Sequence, residues 1–151
     1  MQKRWESRSD AQLYAEEVAL RRFGEQLGVN FVSRVVGDCH LDGYAEVGNT
    51  IILVECWAHI GPARPAQRNK VRSDVLKLTL VQRLLKQERP DCTVKSYMLF
   101  IDREASQTLL NNSWGADAAQ EFDVSVEIVS IEPEVIEAVR AAQQRQDLRN
   151  G

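Results

Sequence analysis

The sequence predicts an α/β fold: a mixed central β-sheet flanked by helices, with an α-β-β-β-α-β core and a C-terminal α/β extension. Three observations carry this. Residues 51–57 read Ile-Ile-Leu-Val-Glu-Cys-Trp, an apolar run of strand length that suits a central strand covered on both faces. Gly48-Asn49 just before it is a tight-turn signal joining it to the preceding strand as an antiparallel hairpin. A long helical pattern, 66–87, follows, and a second apolar run, 93–101, lies beyond it.

The elements follow in order. A first helix runs from 10 to about 27, with Ser9 or Asp10 as N-cap and Gly28 as its stop. Its apolar residues Leu13, Leu20, Phe23 and Leu27 form one stripe at helical spacing. Strands are expected over 31–36, 40–47 and 50–58. Residues 60–65 (Ile-Gly-Pro-Ala-Arg-Pro) make a loop of helix breakers, and the long helix after it ends before Pro90. A buried strand over 93–101 is followed by short helices over 103–111 and 115–121 and a strand over 124–131. A final helix opens at Pro133, which suits a first helical turn, and reaches about 146.

The chain has 151 residues, 44% hydrophobic and 27% charged, which fits a single domain over 1–151. No apolar run approaches the ~18 residues of a membrane span, so no membrane partner is expected. The opening residues Met1-Gln2-Lys3-Arg4-Trp5-Glu6 lack the apolar segment of a secretory signal, which makes the cytoplasm the default compartment. Cys39, Cys56 and Cys92 are odd in number and too scattered for a zinc ribbon or a disulfide framework. The sequence contains no Gly-rich phosphate loop and no Gly-x-Ser-x-Gly elbow. Net charge is −3, but 61–90 holds eight basic residues against two acids, a net of +6 that leaves −9 elsewhere. A basic segment on an acidic body focuses a polyanion onto one face. Arg83, Lys86 and Arg89 within it read as a solvated helix surface.

The residues that carry chemistry begin with Glu16, which fills the gap in the first helix's stripe and so points inward with it. Glu17 is turned about 100° away. Asp42 precedes Gly43 on the second strand, and Glu55 interrupts the apolar third strand, where an ionised carboxylate needs a counter-charge. Adjacent strands lie about 4.8 Å apart, so Asp42 and Glu55 are placed to converge on one ion. Two carboxylates with a backbone carbonyl form a hard-oxygen site, suited to Mg²⁺ or Mn²⁺ rather than zinc. On the long helix, Asp74 and Lys77 fall within about 40° of Lys70 on the stripe read as core-facing. As bland readings, Glu16 pairs with an arginine, Asp42 makes an Asx turn, and Lys70, Asp74 and Lys77 form a local ion-pair ladder. His40 shares strand parity with Asp42, and His59 with Glu55.

Taken together, Glu16, Asp42-Gly43-Tyr44, Glu55-Cys56-Trp57 and the helix with Gln67, Lys70, Asp74 and Lys77 resemble the PD-(D/E)XK nuclease superfamily, whose fold is restriction-endonuclease-like. The resemblance spans roughly the first two-thirds of the chain. It implies a metal-dependent nuclease that hydrolyses phosphodiester bonds in nucleic acid, with DNA favoured over RNA and the choice between them left open. Asp42 and Glu55 would hold Mg²⁺ (or Mn²⁺) with support from Glu16. Gln67 and Lys70 would stand near the scissile phosphate, and Arg64, Arg68 and Arg72 would grip flanking phosphates. The family pattern has Lys two residues after the Glu, and here that position is Trp57. Some members supply the lysine from the following helix, for which Lys70 and Lys77 are the candidates, Lys70 favoured. Duplex cleavage would call for a homodimer or two visits. The alternatives are an inactive module of the same fold that binds nucleic acid or protein, favoured by Trp57, and an unrelated α/β protein with a structural ion-pair network.

Overall fold

A computed structural model describes residues 8–150, with side chains described over 10–149. The reading of Met1–Glu6 and the capping role of the Ser9 side chain lie outside the described residues. The elements are α1 (Arg8–Leu27), β1 (Val32–Val36), β2 (Cys39–Val47), β3 (Thr50–Trp57), α2 (Pro65–Glu88), β4 (Thr93–Phe100), a 3₁₀ helix (Ala105–Leu109), α3 (Trp114–Glu121), β5 (Val124–Ile128) and α4 (Pro133–Asn150). The helix α1 already includes Ser9 and Asp10, so neither stands at its N-cap position. No helix among the described residues is long and apolar enough to cross a membrane.

The five strands lie in the order β1-β2-β3-β4-β5. β1–β2 and β2–β3 are antiparallel, and β3–β4 and β4–β5 are parallel, so the sheet is mixed, as expected. The hairpin turns at Gly48, whose φ of +58° is left-handed and suits glycine. The central strand β3 is buried along nearly its whole length. On one sheet face Ile51, Leu53 and Trp57 pack with Val71, Val75 and Leu78 of α2. On the other, Ile52, Val54 and Cys56 pack with α1 and α4.

Two helix faces differ from the periodicity reading. In α1 the buried positions are Ala11, Ala15, Val18, Ala19 and Phe23, while Leu13 is 58% and Leu27 39% exposed. The helix lies against α4 and β3, and the alanines admit close approach that leucines would prevent. In α2 the buried face is Val71, Asp74, Val75, Leu78, Val81 and Leu85. Lys70 and Lys77 therefore sit on its rim rather than its centre, and Asp74 is the charged residue turned inward.

β2 carries an irregularity that the alternating pattern conceals. Val32 faces Tyr44, but Arg34 faces Leu41, so two steps along β1 match three along β2. The extra residue falls at Asp42-Gly43, a bulge that redirects the side chains around it. Gly43 is needed here: a Cβ would meet Leu20 Cδ2 at 3.0 Å and Val54 Cβ at 3.3 Å.

Candidate functional site

Beside the bulge the β2–β3 ladder ends. Its last backbone pair is Gly43↔Val54, and beyond it carboxylates take over the hydrogen bonding. The Asp42 N–H donates to Glu55 Oε2 at 3.0 Å, and the Cys56 N–H donates to Asp42 Oδ2 at 2.9 Å. Asp42 and Glu55 thus hold together the point where the strands part, and each carboxylate keeps further lone pairs. Glu55 is 1% exposed. Its Oε1 meets Lys77 Nζ in an ion pair. The Lys77 ammonium also donates to the His40 carbonyl at 2.8 Å and lies 3.9 Å from Asp74 Oδ1. Lys70 reaches Asp74 instead, Nζ to Oδ1 at 2.7 Å, with most of its side chain exposed.

Glu16 joins from α1, half-buried, while Glu17 is exposed. With Asp42 and His40 it lines a cleft of about 860 Å³ between α1 and the β1–β2 strands. The acids repel one another's ionisation. Burial, then the charge of Asp42, pushes the Glu16 carboxyl up to about 7, with Lys70 pulling the other way. Burial and Asp42 likewise push Glu55 up to about 8, and Lys77 only partly offsets them. Burial raises Asp74 too, against Lys70 and Lys77. Contact with Glu55 and the charges of Asp74 and Asp42 hold Lys77 above its ordinary value, outweighing its own burial. Burial is thus the main reason these carboxyls hold their protons, with the neighbouring acids adding to it.

Whether a metal suits the site turns on the donors it offers. Among the described residues, no three His, Cys, Asp or Glu side chains stand as a ready-made metal cage. The three acids Glu16, Asp42 and Glu55 carry the hard oxygen donors that a dication such as Mg²⁺ takes.

The other candidate residues lie elsewhere. Arg64 pairs with Asp147 of α4, and its N–H is capped by Gln67 Oε1 at 2.9 Å, so Gln67 serves the start of α2. Arg68 donates to the Ala63 carbonyl at 2.9 Å. Arg72 stacks on Trp114, 4.2 Å from its ring centroid. None of these four joins the carboxylates. His40 contributes its carbonyl to Lys77, and its exposed side chain lines the same cleft as Asp42 and Glu16, in keeping with the strand parity it shares with Asp42. Trp57 turns into the α2-side core and stacks on His59 at 3.9 Å, so the motif position is filled by packing. Arg89 pairs with Glu46 at the surface, and Lys86 donates to the Cys92 carbonyl at 2.6 Å. The sequence places Asp74 on the motif-bearing helix but gives it no metal or catalytic role, although its spacing from both lysines is the signal for its pairing with them.

No protein-family model and no curated protein matches the chain. Among solved structures, it is similar to the crystal structure of an XisH family protein from Nostoc punctiforme PCC 73102. The identity is 16%, the match covers 80% of this chain and 93% of that one, and the TM-score is 0.53. The likeness shows the fold, restriction-endonuclease-like, which agrees with the five-stranded mixed sheet and its flanking helices.

Proposed function

We propose that this chain is a metal-dependent nuclease acting on phosphodiester bonds, with DNA as the favoured polymer. The observation that carries the reading is the meeting of Asp42 and Glu55 where β2 and β3 part, with Lys77 on Glu55 and Glu16 across the cleft. Glu16, Asp42 and Glu55 would hold Mg²⁺ or Mn²⁺. A dication bound there would lower the pKa of a water and stabilise charge on phosphoryl oxygens. Lys77, held by Glu55 and the His40 carbonyl, supplies the cation that Trp57 does not, and its place favours it over Lys70. Asp74 holds Lys70 at the rim, where its exposed ammonium would meet an incoming phosphate.

The test is cleavage of supercoiled plasmid and single-stranded DNA in Mg²⁺ or Mn²⁺ by wild type, Glu55→Ala, Lys70→Ala and Lys77→Ala. Cleavage lost in Glu55→Ala and depressed more by Lys77→Ala than by Lys70→Ala supports the reading. Cleavage that survives Glu55→Ala and Lys77→Ala sinks it.

A second reading rests on a different aspect of the same contacts. Lys77 already meets Glu55, and Asp42 and Glu55 already accept backbone N–H groups, as a structural network in an inactive nucleic-acid-binding module would have them. Absence of dication binding, with nucleic-acid binding retained, would favour it.

A further inference from the structure

The helix α2 has a second functional flank. Arg72 lies about 200° around the helix from Lys70, facing α3 rather than the carboxylates. There a groove of about 360 Å³ runs between α2 and α3, lined by Asn69, Arg72, Ser73, Leu76, Trp114 and Phe122 among others. Three of its apolar side chains are open: Leu76 is 69%, Trp114 63% and Phe122 42% exposed. An exposed tryptophan at a helix start is held, not loose. Ser113 caps the helix by accepting the Ala116 N–H, and the Arg72 guanidinium sits over the indole ring. Gly115 makes room: a Cβ there would come within 2.6 Å of the Thr108 carbonyl and 3.4 Å of Arg72 Nε.

Among the described residues, Arg72 has no carboxylate. Its Nε is buried without a hydrogen-bond partner, and no acid lines the groove with it. A cation stacked on one face of an open aromatic ring, lacking an anion and lying in the +6 segment, calls for a ligand with a flat π-face and a negative charge. We infer that Trp114 and Arg72 form a stacking platform for a single-stranded stretch of nucleic acid: a base lies on the indole and its phosphate meets the guanidinium. Asn69 and Ser73 offer hydrogen bonds beside it. The platform holds strand that flanks the cleavage position, on the opposite side of α2 from the carboxylates. This inference rests on the nucleic-acid reading above and is independent of cleavage.

The experiment is fluorescence anisotropy of a labelled oligothymidylate of about 12 nucleotides, in EDTA so that nothing is cut. Wild type, Trp114→Ala, Trp114→Phe and Arg72→Gln are compared, with far-UV circular dichroism confirming that each is folded. Trp114→Ala is expected to weaken binding about tenfold, the factor that 1.4 kcal/mol represents. Trp114→Phe retains most of the affinity because a ring remains. Arg72→Gln weakens binding and flattens its salt dependence. Unchanged affinity in Trp114→Ala overturns the inference. So does sedimentation showing that the wild type is a dimer which Trp114→Ala dissociates, because the groove then belongs to a second copy. A chain that binds through Trp114 but never cuts keeps this inference and removes the nuclease assignment, so the two failures are distinguishable.

Discussion

Replacing Glu55 by Gln gives a direct measure of the charge stored in the site. Glu55 is 1% exposed, and burial together with Asp42 moves its carboxyl from 4.5 to about 8. A carboxyl raised on folding stabilises the protein fully below its unfolded pKa and loses that contribution as pH climbs through its folded pKa. The window is therefore from about 4.5 to about 8. Each pH unit of that window is worth about 1.36 kcal/mol, so the whole corresponds to about 4–5 kcal/mol. Lys77 stays protonated across this range because its own pKa is raised. Glu16 titrates in both proteins and largely cancels from the difference. The assay is urea unfolding of wild type and Glu55→Gln in EDTA from pH 5 to pH 9. The wild type is expected to lose several kcal/mol across that range that the variant retains, with the gap between them widening from about pH 5 and levelling off above about pH 8. Parallel curves would refute the reasoning, because Glu55 would then be as well compensated folded as unfolded.

Lys77 and Lys70 separate in single-turnover cleavage. Lys77→Met is expected to slow the chemical step by about 10²-fold or more, the scale of losing one charge-stabilising donor, while Lys70→Met acts mainly on substrate affinity. Trp57→Lys, which writes the family lysine back into the chain, is expected to cost about 3 kcal/mol or more in thermal unfolding, because a core ring gives way to a buried ammonium. It should not rescue Lys77→Met, and rescue would place residue 57 in the site after all. Gly43→Ala puts a methyl 3.0 Å from Leu20 and is expected to destabilise the chain by about 1–3 kcal/mol, measured by urea midpoint. An unchanged midpoint would mean that the bulge has room to spare.

The strong local patterns in the sequence are the ones that survive folding. The apolar run 51–57, the Gly48-Asn49 turn and the helix between two apolar strands specify β3, its hairpin and α2 closely, because each rests on such a pattern. Helix phase is less legible. In α1 the buried stripe is written in alanines, whose weak hydrophobicity hides it behind the larger but exposed Leu13 and Leu27. In α2 the same shift of phase moves Lys70 to the rim and leaves Lys77 against Glu55. The bulge at Asp42-Gly43 is invisible to alternation, since one inserted residue reverses parity without changing composition. The pairing of Arg72 with Trp114 joins elements 42 positions apart, and no local pattern announces it.

The most direct test is a calorimetric titration of Mn²⁺ into wild type, Asp42→Asn and Glu55→Gln at pH 7.5. The expected result is a single dication site in the wild type, weakened about tenfold or more by either substitution. No binding in the wild type, or binding that neither substitution alters, would contradict the assignment of Asp42 and Glu55 as the centre of a metal-dependent site.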